Sequence, residues 1–265
     1  MRQNLIEEVN RVRELMSVNE QPEDSLLGMA KKMFGFSNNS GETAPSTKES
    51  ESIGKNKITG KIKHSYSGQA AKMVDMTIQE MEKMGITNPY AQIGILSVIG
   101  KESGFVAVKE YGYCTTSDSR IVSIFGSARG NKCKSLKCDD AKFFDCVYGK
   151  DSGMPLGNTQ PGDGWKYVGR GLNGITGRAN YRHYGKLIGA DLENNPELLE
   201  KPEISAKAAI AFFLNGKDPK KLPDFKDKES ATVYFTDINA GNRRSDWSRK
   251  AALAMNPKFD IATTA

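Results

Sequence analysis

The stretch that most constrains this chain runs from Asn88 to Phe105, NPYAQIGILSVIGKESGF. Asn88 suits an N-cap, and Pro89 falls where a first helical residue needs no N–H. Ala91, Ile93, Ile95, Leu96, Val98 and Ile99 follow, apolar almost all round, which predicts a helix inside a core. Gly104 can take the left-handed conformation that closes it. The spacing Ile95, Ile99, Glu102 sets a carboxyl on the apolar stripe at the helix C-terminus. An apolar rim and the negative helix end should both raise the pKa of Glu102 and suit it to proton donation. The plainer alternative is a glutamate that marks where the helix meets water.

Composition narrows what such a helix can belong to. The chain has 265 residues, enough for one domain of roughly 200 and an appendage. Its net charge of +6 is mild, and aromatics do not alternate with basic clusters, so a nucleic-acid face is not expected. No run approaches about eighteen apolar residues, so no membrane span is expected. The charged start, MRQNLIEEVNRVREL, lacks the apolar region of a secretory signal. Export is therefore expected by another route.

Along the chain, residues 4–19 place Leu5, Val9, Val12, Leu15 and Met16 at helical spacing. Residues 1–36 read as amphipathic helical segments, packed back on the main domain or docking to a larger assembly. Residues 37–57 are polar and Ser/Glu/Lys-rich, a flexible linker. Residues 58–265 read as the globular domain. Helices are expected from Ser67-Gly68 to Met84, Arg178–Ile188, Pro202–Leu214, Ser230–Ile238 and Asp246–Met255. The first of these and the 88–104 helix, joined by a short turn, should be antiparallel neighbours. Residues 106–165 are Gly-, Ser- and Asp-rich with little periodicity, a long irregular region expected to bind or catalyse. The fold class is mainly α, with a loop-rich cleft.

Four cysteines, Cys114, Cys133, Cys138 and Cys146, fall in that region. Their spacing lacks the paired C-x2-C form of common zinc sites, and two disulfides, a thiolate metal site or free thiols all remain open. The chain has only two histidines, His64 and His183, so a histidine-based metal centre is not expected. No cofactor is called for.

A second acid could work with Glu102. Glu110 lies eight residues on, past a Gly-containing turn, and Asp118 sits in a Ser/Thr turn where caps are common. Glu110 is the better candidate.

The later run GDGWKYVGRGLNGITGRANYRHYG, Gly162–Gly185, carries a stronger signal. It resembles the signature of glycoside hydrolase family 19, the chitinases and related bacteriophage endolysins, through Gly162–Trp165, Gly169–Gly171 and Thr176–Tyr181. Ala91–Phe105, Cys146–Gly149, Asn195–Leu199 and Asn239–Gly241 resemble further family motifs in the family's order. The similarity covers roughly residues 65–255. It implies a two-lobed, lysozyme-like domain that hydrolyses β-1,4 bonds at N-acetylhexosamines with inversion. In such enzymes a water stands between carboxyls roughly 6.5–9.5 Å apart. By the same resemblance Glu102 is the acid, Glu110 the second carboxylate, and Thr116 or Thr115 a holder of the water. Tyr167, Arg170, Thr176, Asn180, Tyr181 and Asn239 match cleft positions. Arg170 can equally be a buried ion pair tying the Gly-rich loop to the core.

Three positions depart from the pattern. Gly174 stands where the family has Gln, Lys101 where a His often precedes the acid, and Ala240 at the centre of N-G-G. Residues Arg129–Cys146 look inserted relative to short endolysins. The placement of Glu110 and the positive charge favour peptidoglycan over chitin as the substrate. Residues 1–36 suit attachment to a phage structural protein. The expected life of the chain is synthesis in a host cytoplasm and action on the cell wall, after lysis or from a virion.

Overall fold

The computed structural model describes residues 62–110, 112–240 and 246–262. The helical segment expected over 1–36 and the linker over 37–57 lie outside the described residues. Helices dominate: α1 (Gly68–Lys83), α2 (Pro89–Ser103), α3 (Asp118–Phe125), α4 (Ser127–Cys133), α5 (Asp140–Tyr148), a single turn α6 (Asp163–Lys166), α7 (Arg178–Ile188), α8 (Pro202–Leu214), α9 (Lys228–Ala240) and α10 (Asp246–Leu253).

Helix α2 forms as its sequence dictates. The Asn88 side chain accepts from the Ala91 N–H at 3.0 Å, and Gly104 closes the far end in the left-handed region. Ala91 through Gly100 are all buried. The partner is α9 more than α1, which corrects the expectation of a paired α1–α2 hairpin; α1 packs chiefly on α8. Gly94 explains the choice. A Cβ there would stand 2.7 Å from the Ala231 carbonyl carbon and 2.9 Å from the Phe235 ring. The missing side chain lets the two backbones meet.

Two apolar clusters result. The larger holds α1, α2, α7, α8 and α9, with Leu96, Ile99, Phe213 and Phe235 at its centre. The smaller gathers Tyr113, Ile121, Phe125, Cys133, Phe143, Phe144, Val147 and Tyr148. Residues 106–165 therefore are not irregular, as their composition suggested. Three helices organise them, and two disulfides, Cys114–Cys138 and Cys133–Cys146, close them. Helices of two to three turns are too short for periodicity to stand out. Here rings such as Phe125 and Phe143, 5.3 Å apart edge to face, supply the core.

Two small antiparallel ladders complete the fold. Strand β1 (Ile62–His64) pairs with β4 (Phe259–Ile261), joining the two ends of the domain. Strand β2 (Val108–Lys109) pairs with β3 (Arg170–Gly171), and the Glu110 N–H extends that ladder to the Gly169 carbonyl at 2.8 Å. The second ladder sets the signature loop beside Glu110.

Candidate active site

Glu102 occupies the last turn of α2. Its Oε1 accepts from Lys101 Nζ at 2.6 Å and from Asn239 Nδ2, at the end of α9, also at 2.6 Å. Lys101 also donates to Ser248 Oγ at 3.1 Å, and its side chain is only 8% exposed against 25% for Glu102. The apolar rim expected around Glu102 is instead a polar bracket complementary to a carboxylate anion. Asn239 is itself buried. Its approach to Glu102 follows directly from the close packing of α2 on α9.

Beyond Gly104 the chain leaves α2 through Phe105, a bulky residue at φ 66°. A non-glycine residue pays roughly 1–2 kcal/mol there. Packing fixes it: the Phe105 ring is buried against Tyr66 at 4.9 Å and Phe259 at 6.2 Å. This turn sends the chain into β2 and on to Glu110.

Glu110 is 1% exposed, and its carboxyl is held by two tyrosines of the smaller cluster. Tyr113 Oη donates to Oε1 at 2.9 Å, and Tyr148 Oη stands 3.3 Å from both oxygens. Burial pushes its pKa up to about 7, although the two tyrosines and the Gly169 N–H favour the anion. Gly169 is required by this closeness: a Cβ there would meet Glu110 Oε2 at 3.0 Å and Thr176 Oγ1 at 3.2 Å. Thr176 thus borders the same carboxyl. Tyr148 lies in the family-like segment Cys146–Gly149, whereas Tyr113 belongs to no motif. A tyrosine in an aromatic cluster carries no sequence mark of what its hydroxyl reaches.

Other candidates fall elsewhere. Thr116 is half-buried; its N–H bonds the Tyr113 carbonyl at 2.9 Å and its carbonyl accepts from Lys137 at 2.7 Å. Asp118, the rejected alternative, starts α3 and pairs with Lys137 on the surface. Tyr167 and Tyr181, expected in the cleft, are fully buried. Their hydroxyls serve the Glu193 and Val168 carbonyls at 3.0 and 2.6 Å. Arg170 makes the loop tie that was one of its two expected roles. Its guanidinium meets Glu200 at 3.0 Å, the Lys166 carbonyl at 2.7 Å and Tyr181 Oη at 2.9 Å. Asn180 is buried and donates to the Thr176 carbonyl at 2.6 Å, so it shapes the Thr176 turn. Gly174 sits in the turn closed by the Arg170 and Ile175 backbones, and its carbonyl accepts from Thr176 Oγ1 at 2.9 Å.

The signature residues also hold one another. Arg178 grips Asp163 twice, at 2.6 and 3.0 Å, and Asp163 Oδ2 accepts the Thr159 and Gln160 N–H groups. Lys109 lies 3.2 Å over the Trp165 ring. Their chemistry is the fixing of a loop against which Glu110 is set.

Fold and site together define a mainly helical, lysozyme-like domain with one acid at the end of a buried helix and a second, buried acid beside the signature loop. Residues 108–227 match the family described as Chitinase class I, and this segment belongs to glycoside hydrolase family 19. It is 31% identical over 138 residues to a glycosyl hydrolase family 19 domain-containing protein of Haemophilus influenzae, covering 51% of this chain and 66% of that protein. It is also 43% identical over 67 residues to endochitinase 4 of Solanum tuberosum, 25% of this chain and 22% of that protein. The basic 30 kDa endochitinase of Solanum lycopersicum is 38% identical over 78 residues, 27% of this chain and 24% of that protein. The chain thus spans just under two thirds of the bacterial relative and about a quarter of these plant enzymes. No helix among the described residues is long and apolar enough to cross a membrane.

Proposed function

We propose that this chain is a peptidoglycan-degrading glycosidase of bacteriophage type, cleaving β-1,4 bonds between N-acetylhexosamines with inversion. The observation that carries the reading is Glu110: a buried carboxyl with a pKa near 7, inside the segment matching the family and braced by its signature loop. A base poised near neutrality is well matched to drawing a proton from water. In this mechanism Glu102 delivers its proton to the glycosidic oxygen as the C–O bond breaks. Glu110 takes a proton from the water that attacks the anomeric carbon, and Thr116 helps hold that water. Asn239 orients Glu102, and Thr176 lies with Glu110 beside Gly169. The net positive charge suits an anionic wall over neutral chitin. Residues 1–36 attach the enzyme to a phage structural protein, with residues 37–57 as tether to the domain from residue 58. The chain is made in the host cytoplasm and reaches the wall from a virion or at lysis.

One observation favours a reversed assignment. Lys101 and Asn239 both donate to Glu102, as an anion would require, whereas burial favours a protonated Glu110. Glu110 would then be the donor and Glu102 the base.

The test is release of reducing ends from purified peptidoglycan, and separately from chitin oligomers, by wild type and Glu102→Gln. Peptidoglycan cleavage lost in the variant supports the reading. Cleavage of chitin alone keeps the chemistry and changes the substrate. No release from either overturns it.

A further inference from the structure

Both tyrosines that grip Glu110 stand on segments closed by a disulfide. Tyr113 is followed directly by Cys114, bonded to Cys138; Tyr148 comes two residues after Cys146, bonded to Cys133. All four cysteines lie in or beside the smaller cluster, and the larger contains none. Cys133 is wholly buried there, while Cys114 and Cys138 are exposed. The segment anchored by Cys138 returns to the Thr116 loop a second time. Lys137 donates to the Thr116 carbonyl and to Asp118, each at 2.7 Å. The smaller cluster is built from few residues, and covalent closure is how small cores hold shape.

We propose that the two disulfides are a redox-sensitive positioning device for Glu110, holding Tyr113 and Tyr148 on its carboxyl when closed and releasing them when reduced. Thiols of the glutathione or dithiothreitol class open it. Each S–S bond takes up two electrons and two protons to give two chain thiols, and the reductant leaves as its own disulfide. Oxygen or a disulfide oxidant reverses the step. Cys114–Cys138 opens first because a thiolate can reach it. Since Tyr113 adjoins Cys114, the first opening already loosens the grip on Glu110. The larger cluster stays folded. A chain made in a reducing cytoplasm is thereby held at low activity until it meets oxidising surroundings. The activity part of this inference rests on Glu110 being catalytic; the positioning part does not.

The experiment follows the Glu110 carboxyl by NMR in carbon-13 glutamate-labelled protein, assigning the signal by its absence in Glu110→Gln. Titrations compare the oxidised chain, the chain in dithiothreitol, and the Cys114→Ser/Cys138→Ser and Cys133→Ser/Cys146→Ser pairs. Opening should move the midpoint down by about one pH unit or more, toward the usual carboxylate range, as water enters. Amide-exchange protection of α2, α8 and α9 should persist. An unchanged midpoint under every condition, or joint loss of protection in both clusters, overturns the proposal. Reducing-end release is read in parallel and should fall at least about tenfold in dithiothreitol, returning with oxidised glutathione. If the oxidised protein releases nothing, the glycosidase reading fails while the titration still decides the positioning role.

Discussion

The Asn239 side-chain amide donates to the Glu102 carboxylate at 2.6 Å across 137 residues of chain. The contact exists because α2 and α9 meet backbone to backbone at Gly94. It joins the packing of the larger core directly to the candidate chemistry. Glu102→Gln should lower kcat by about 10²–10⁴-fold, the range for losing a positioned proton-transfer group. Asn239→Ala should lower kcat/KM by about 10- to 100-fold, as expected for a hydrogen bond to a charged group. Steady-state kinetics on wall fragments checks both, and an Asn239→Ala enzyme of wild-type kcat/KM would remove Asn239 from the site.

Gly94→Ala should destabilise the domain by about 1–3 kcal/mol, despite alanine's helix propensity, because the new methyl meets the Ala231 backbone rather than a yielding side chain. Denaturant unfolding reads this directly. A variant as stable as wild type would mean that α2 and α9 can separate freely.

Glu110 links stability to pH. Its folded pKa of about 7 stands above the unfolded value of 4.5. The protonated carboxyl therefore favours folding fully below about 4.5, and the benefit is lost as pH rises through about 7. The span corresponds to about 3 kcal/mol. Glu110→Gln, always neutral, should flatten the fall in stability between pH 4.5 and 7 that wild type shows. Equal slopes in the two proteins would contradict a buried, raised carboxyl.

The same group sets the rate profile. If Glu110 is the base, kcat/KM rises with pH through about 7. If it is the donor, the rate falls there instead. One pH series on wild type distinguishes the two assignments of the acid pair.

Arg170→Met should reduce stability by about 2–4 kcal/mol, because the buried carbonyl of Val168 and the Tyr181 hydroxyl lose a charged donor. KM of the remaining folded enzyme should stay near wild type. A raised KM with unchanged unfolding would return Arg170 to sugar binding.

Local chemistry made much of this legible beforehand. The Asn88 cap, the apolar run and Gly104 were enough for α2. The bounds of α7 and α8, Arg178–Ile188 and Pro202–Leu214, were also readable. The same reading failed over 106–165, because three short helices there are held by ring packing and disulfides between residues distant in sequence. Nor could it tell that Tyr167, Tyr181 and Arg170 are buried, since a motif tells which residues matter without telling which way they face.

By itself the sequence determined the long helices outside residues 106–165, the family signature and the presence of acids at Glu102 and Glu110, because caps, periodicity and motif order are properties of neighbouring residues. Only the tertiary structure decided what surrounds each acid. The Lys101–Asn239 bracket, the two tyrosines on Glu110 and the pairing of the cysteines each depend on segments brought together by packing. Burial and hydrogen bonding set the proton affinity of a carboxyl, and both arise only when the two cores form.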